Sequence, residues 1–420
     1  MLDCFEHAVR AAAMRARPPD APPTWAQHAP TTLGTLAAIT QASINMFNLS
    51  MPPSGLVNGI GWWQCANGYT AIALHDIWSG TDRNYARLST ALRQCESRQP
   101  DFVNEFNDDT LWFGLCCLHM YSMKHDTWFL EKAERVWNHV RSSHSVCKRR
   151  QHNFCGKDME GGCFWTTKPG EQQVNAISTG LFAELSVRLA MHALREENAE
   201  SEPSLSSQRM SSRGHHRDSH RRNSDRYIET ARCSLGWILR CRYMAEEGVV
   251  LDGLLLDSGV ANDWTFTYTT GVTLGVCALL YETTMEEEYL ELACHMANRA
   301  MNRSSWVVQG VLTEPGAYAR GTHDPWQNND AVGFKSVLVR AIATLSDVIS
   351  RTNAPGAVAR DMQDTIKAFV NTNLVSQLEN NTNGNAQYGP WWAGPFECPT
   401  SHSQMAVLDV MAAARLVNRE

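Results

Sequence analysis

A chain of 420 residues with 43% hydrophobic and 19% charged side chains has the means to bury a large core. Its 37 Lys and Arg against 44 Asp and Glu leave a net charge of −7, which excludes the broadly basic surface that nucleic-acid binding needs. No apolar run approaches the ~18 residues of a membrane span, and the opening stretch MLDCFEHAVR lacks the apolar segment of a secretory signal.

Residues 1–30, rich in Ala, Pro and Arg, are expected to form a poorly ordered arm. From there on the apolar pattern is helical almost throughout, with little period-two alternation. In chain order it predicts helices over 31–49, 65–79, 83–97, 109–125, 127–144, 171–195, 227–243, 265–284, 286–303, 330–350, 356–378 and 401–419. The segments fall into pairs. The second member of each pair follows a loop rich in Gly, Trp, Asn and Asp, such as GIGWWQCAN, EFNDD, GGCFWTTKPG, VANDW, THDPWQNND and YGPWWAGPF. The first members follow shorter polar turns, for example SGTDRNY and MEEEY. Six such hairpins predict an all-α toroid, an (α/α)6 barrel over 31–420, whose inner helices start at one rim. About 196–226, the segment EENAESEPSLSSQRMSSRGHHRDSHRRNSDR has almost no large apolar side chain and is expected to be a disordered insertion between two helices.

Thirteen cysteines in so long a chain do not make a small disulfide scaffold. Cys116, Cys117, Cys277 and Cys294 fall within helices and read as core residues. Cys147, Cys155 and Cys163 lie near His144 and His152, but the C-x7-C-x7-C spacing fits no usual zinc pattern. No phosphate-binding glycine loop and no G-x-S-x-G elbow is present. Sequons occur at Asn48, Asn302 and Asn380. Fourteen tryptophans suit either a packed core or a sugar cleft.

The sharpest chemical feature is Asn107-Asp108-Asp109 ahead of the apolar run TLWFGL. Asn107 reads as an N-cap, which puts both aspartates in the first helical turn, where the macrodipole stabilises acidic groups. Two adjacent carboxylates also repel, so one holds its proton while the other stays charged. That combination of acid and anion is what glycosidase chemistry needs.

The order of motifs resembles glycoside hydrolase family 76, the α-1,6-mannanases and their fungal cell-wall relatives. The resemblance runs through Gly59-Ile60-Gly61-Trp62-Trp63-Gln64-Cys65-Ala66-Asn67, Asn107 to Leu115, Gly161-Gly162-Cys163-Phe164-Trp165 and Asn175-Ala176-Ile177-Ser178. It continues through Asp252-Gly253, Trp264-Thr265-Phe266-Thr267-Tyr268, Phe334-Lys335 and Trp391-Trp392-Ala393-Gly394-Pro395. The chain departs from the family at Val174, where a Lys is usual, and at Thr269-Thr270, where the family has Asn-Gln. Two threonines lack the amide donors and acceptors of that pair, so specificity or activity is expected to change if the position touches sugar.

The resemblance implies an (α/α)6 barrel that cleaves α-mannosidic linkages in α-mannan or mannose-containing oligosaccharides by a retaining double displacement. Asp108 would be the nucleophile and Asp109 the acid/base. Alternatives on the same barrel are a cell-wall transglycosylase, a non-catalytic carbohydrate-binding protein, or an interaction barrel with no sugar role. Trp62, Trp63, Trp112, Trp165, Trp264 and Tyr268 are candidate stacking faces, and Asn67, Asn175 and Asp252 candidate hydroxyl ligands. Glu314, Asp330 and the His323-Asp324 pair are further rim candidates. Two carboxylates supply both nucleophile and proton, so no metal or organic cofactor is expected, and a monomer is. The family's polymeric substrate implies secretion or the cell wall.

Overall fold

The computed structural model describes residues 2–16, 32–142, 144–201, 210–314 and 330–419. The helices are α1 (Leu2–Ala13), α2 (Leu33–Leu49), α3 (Trp62–Ser79), α4 (Tyr85–Arg98), α5 (Asn107–Lys124), α6 (Thr127–Ser142), α7 (Ala176–Ser201), α8 (Met210–Cys241), α9 (Thr267–Thr284), α10 (Glu287–Asn302), α11 (Ala331–Thr352), α12 (Ala357–Asn380) and α13 (Ser401–Val417). All twelve predicted helices are present.

Helix composition separates two layers. In α4 only Leu88, Ala91, Leu92 and Cys95 are buried, one stripe at helical spacing, and α6 repeats this with Phe129, Ala133, Val136, Trp137 and Val140. By contrast α3, α5 and α9 are buried on nearly every side, as helices inside a second layer must be. Accordingly α3, α5, α7, α9, α11 and α13 pack side by side in chain order, and α13 returns onto α3 to close the ring. The outer helices α6, α8 and α10 lie on α5, α7 and α9, while α12 lies on α11 and α13. Close approach within the ring needs small residues. At Gly271 of α9 a Cβ would stand 2.8 Å from the Leu338 Cα of α11. The result is the expected (α/α)6 barrel.

Helix ends have local causes. Thr400 and Ser403 form a reciprocal capping box at the start of α13, with Ser403 N–H donating to Thr400 Oγ1 at 3.1 Å and Thr400 N–H to Ser403 Oγ at 2.9 Å. Left-handed residues stop α3 at Gly80, α5 at His125 and α9 at Met285.

Two expectations about the edges are corrected. Residues 2–13 are not part of a loose arm, because α1 packs on α8 and α10 and buries Val9, Ala12 and Ala13 along one face. The insertion expected at 196–226 is in part helical backbone, since α7 runs on to Ser201 and α8 begins at Met210. Residues 202–209 lie outside the described residues. The four cysteines read as core, Cys116, Cys117, Cys277 and Cys294, are buried.

Candidate active site

The loops that precede the inner helices gather at one rim. A small antiparallel sheet organises part of them, built from Cys163–Phe164, Gln173–Asn175, Gly253–Leu255 and Val260–Asn262 in that order. Its register pairs Cys163 with Asn175, Asn175 with Gly253, and Gly253 with Asn262. The start of α5 is tied to the same sheet edge. Asn107 N–H donates to the Trp165 carbonyl at 2.8 Å, and the Asn107 side-chain amide donates to the Phe164 carbonyl at 2.8 Å. Asn107 is therefore not the N-cap that its type suggested; Phe106 holds that place, and Asn107 fastens α5 to the sheet.

Asp108 and Asp109 do sit in the first turn of α5 and are half-buried. Asp108 accepts two N–H donors: Asp109 N–H on Oδ1 at 2.9 Å and the Trp165 indole Nε1 on Oδ2 at 3.1 Å. Asp109 accepts the Asn104 side-chain amide at 2.8 Å. Burial is the main force on both carboxyls, and it pushes them up. Asp108 is held well above the ordinary carboxylate range by burial and then by the Asp109 charge, against the pull of its two donors. Asp109 is pushed up to about 6 by burial, restrained by Asn104 and raised further by Asp330 and Glu105. The two titrate as a pair, so their protons belong to the pair and not to either aspartate alone.

Around this pair the rim supplies aromatic walls. Trp63 donates its indole N–H to Asp330 at 2.9 Å and faces Phe334 at 5.9 Å. Phe334 stacks on Tyr268 at 3.9 Å and 12°. Phe266 joins Phe334 at 5.1 Å to Trp264 at 5.5 Å, and Trp264 is 65% exposed, so an aromatic path runs from the rim's outer edge inward. Burial, and after it the charges of Asp252, Asp108, Asp330 and Glu314, pushes the Tyr268 phenol well above its ordinary range, so it stays un-ionised. Asp252 is buried, accepts Asn262 Nδ2 at 2.7 Å, and is pushed up to about 6 by burial despite Arg242.

Other predicted site residues lie elsewhere. Asn67 is fully buried, donates to the Trp63 carbonyl at 3.0 Å and accepts Arg340 at 2.8 Å, so it belongs to the barrel interior and not to the cleft wall. Asn175 accepts Ser178 N–H at 3.1 Å and caps α7. Trp112 is buried 6.3 Å from Trp63, and Trp62 packs on Phe113 at 4.4 Å. Thr269 and Thr270 are fully buried and bind the Val250 carbonyl and N–H at 3.0 Å each, so this departure from the family tethers α9 to the strand at Val250. Val174 is likewise buried, packed in a cluster with Trp237 and Leu254. His323-Asp324 lies outside the described residues.

Three further polar groups, Glu314, Lys335 and His402, sit at the rim. Glu314, from the loop before α11, accepts Thr267 N–H at 3.1 Å and also the Thr267 hydroxyl, pinning the start of α9. Burial raises Glu314 and lowers Lys335, and each charge restrains the other. His402 is buried edge-on to Trp63 at 5.8 Å and is held down to about 3 by burial and Lys335, hence neutral. Only an acidic residue in a rim loop, for Glu314 and Asp330, was available as a clue.

The sequence pattern of glycosyl hydrolase family 76 matches residues 9–200 and 219–420. No curated protein matches the chain by sequence. Among solved structures, an α-1,6-mannanase of Salegentibacter sp. HEL1_6 is similar with a TM-score of 0.70 at 20% identity, over 92% of this chain and 100% of that one. The Lin0763 protein from Listeria innocua is similar with a TM-score of 0.67 at 20% identity, over 92% and 98%. Dfg5 from Chaetomium thermophilum, in complex with glucosamine, follows with 0.64 at 14%, over 92% and 90%. At these identities the structural likeness is one of fold, whereas the family pattern spans nearly the whole sequence. The chain therefore belongs to glycosyl hydrolase family 76 and is a glycoside hydrolase on an (α/α)6 barrel.

Proposed function

We propose that the protein cleaves α-1,6-linked mannan chains with retention, using Asp108 as nucleophile and Asp109 as acid/base. The observation that carries this is the setting of two adjacent carboxyls. Asp108 takes an N–H donor on each oxygen and Asp109 an amide donor, and burial raises both carboxyls, so the pair keeps a proton toward neutral pH; the division of roles between them follows the family resemblance. The Salegentibacter relative was solved as an inactive variant, with two consecutive aspartates replaced by asparagine, in complex with α-1,6-mannotriose. A variant with alanines there is in complex with α-1,6-mannotetrose.

In the first step an Asp108 oxygen attacks the anomeric carbon, the glycosidic C–O bond breaks, and Asp109 gives its proton to the departing oxygen. In the second, Asp109 takes a proton from water as that water attacks the anomeric carbon and releases Asp108. The exposed Trp264 and the Phe266–Phe334–Tyr268 wall offer sugar faces an apolar surface. The non-catalytic reading drew on Thr269-Thr270, and these side chains are buried and bonded to the Val250 backbone, which weakens that motive.

The test is cleavage of a purified α-1,6-mannooligosaccharide followed by proton NMR of the first-formed anomer. An initial α-product supports the mechanism, an initial β-product overturns retention, and neither cleavage nor transfer overturns the function. A polymeric substrate places the enzyme's work outside the cell or in the wall, where it acts as a monomer; cell fractionation and light scattering check both.

A further inference from the structure

Asn104 lies just before α5 and is tied down on several sides. Its side-chain oxygen accepts the Phe106 N–H at 2.8 Å, closing a turn of the kind asparagine favours. Its own backbone N–H donates to the Thr110 hydroxyl of α5 at 3.2 Å. The same segment is fastened to the Trp165 loop, because the Glu105 carbonyl accepts the Thr167 N–H and the Thr166 hydroxyl, each at 2.9 Å. These bonds decide which way the amide points. Oδ1 must face the Phe106 donor, so Nδ2 is left to donate, and it meets Asp109 Oδ2 at 2.8 Å. The charged groups that act on Asp109 come from several elements: Asp108 beside it on α5, Glu105 ahead of that helix with Lys168 at 3.0 Å from it, and Asp330 ahead of α11. Asn104 is neutral and acts on Asp109 by direct contact.

We propose that Asn104 is a positioning residue for the acid/base: its amide holds Oδ2 of Asp109 as an acceptor in both protonation states, so the proton is carried and delivered by Oδ1. In the first step the Oδ1 proton passes to the departing glycosidic oxygen as its C–O bond breaks. In the second, Oδ1 takes a proton from the attacking water. Asn104 keeps its own hydrogens throughout. A hydrogen bond to a charged acceptor is about twice as strong as one to a neutral acceptor, so the contact tightens as Asp109 loses its proton and favours that loss. The downward pull of this amide on the Asp109 titration, against burial, agrees with it. The inference rests on Asp109 being the acid/base.

The test is the basic limb of kcat/KM against pH on an α-1,6-mannooligosaccharide. Asn104→Ser keeps an oxygen for the Phe106 N–H and removes the amide. Asn104→Asp keeps that oxygen and sets a carboxylate against Asp109. The limb should rise by about one pH unit in Asn104→Ser, and further in Asn104→Asp. Turnover of the oligosaccharide by Asn104→Ser should fall about tenfold, with little change on an activated aryl α-mannoside, whose leaving group needs little protonation. A structural role alone would lower both substrates alike and leave the limb in place; that result in a folded variant overturns the proposal, as does a limb moved to lower pH. The wild-type enzyme gives a second reading. The nitrogen NMR signal of the Asn104 side-chain amide should shift across the pH of the basic limb and should not do so in Asp109→Asn. A wild-type signal that does not titrate refutes the contact, whether or not the Asn104 variants fold. Near-normal turnover of Asp109→Asn would instead sink the acid/base assignment, whatever Asn104 does.

Discussion

The indole Nε1 of Trp165 donates to Oδ2 of Asp108 at 3.1 Å. Trp165 sits just beyond the sheet strand Cys163–Phe164, and its backbone carbonyl accepts Asn107 N–H, so one residue both anchors α5 and donates to its first carboxylate. Trp165→Phe keeps an aromatic ring against Phe106 and removes the N–H together with one fused ring. A hydrogen bond to a charged group is worth about 1.5–3 kcal/mol, so kcat/KM should fall about ten- to a hundredfold. Losing a donor to the anion raises the Asp108 pKa, so the acid limb of the pH profile should move to higher pH. An unchanged acid limb would mean that this contact does not act on the nucleophile.

Leaving-group chemistry separates the two aspartates. Asp109→Ala should keep more of its activity on an activated aryl α-mannoside than on mannan, because a good leaving group needs little protonation. Asp108→Ala should keep little on either. Steady-state rates on both substrates check this, and equal responses of the two variants would refute the division of roles.

Asp252 stores a pH-dependent cost. Its folded pKa of about 6 lies above the ordinary carboxylate value of 3.8, chiefly through burial. The folded protein therefore holds a proton that the unfolded chain releases first. The contribution is fully present below about pH 4 and is lost as pH rises through 6. Asp252→Asn should match wild type near pH 4 and exceed it near pH 7, by on the order of 2 kcal/mol. Thermal unfolding at the two pH values reads the difference; a gap that widens toward acid would reverse the sign of the argument.

Below the cleft, Arg340 of α11 binds Asp409 of α13 through two contacts of 2.8 Å and also the Asn67 amide oxygen of α3. The pair is buried, and it joins the three inner helices where the ring closes. Arg340→Met would strand the Asp409 carboxylate, at a cost of about 3–5 kcal/mol. Urea unfolding should show the loss, and the double variant Arg340→Met/Asp409→Leu should recover part of it. A single variant as stable as wild type would show that the charge has another partner.

What could be read from the linear chain depended on whether the signal was local. The outer helices announce themselves by stripes such as Leu88, Ala91, Leu92 and Cys95, and the inner ones by apolar residues on every side, because layer position dictates which faces meet water. The aspartate pair was legible for the same reason: its chemistry needs only two neighbours and a helix start. The N-terminal helix was missed because its apolar face is short and built largely of alanine, and becomes a contact only against α8 and α10.

Direction of a side chain is a different matter. Asn67 and Asn175 occupy motifs at the rim, yet one turns inward to Arg340 and the other caps its own helix. Thr269 and Thr270 looked like a change in sugar binding and prove to be ties to Val250. Asp330 lies 221 positions from Asp109 along the chain and reaches the cleft only because α11 and α3 begin at the same rim. The sequence by itself determined the helices, their pairing into a closed ring and the aspartate pair at a helix start, all of which rest on spacings of a few residues. Which polar groups face that pair was decided by the closure of the barrel, since only there do residues hundreds of positions apart share one poorly solvated space.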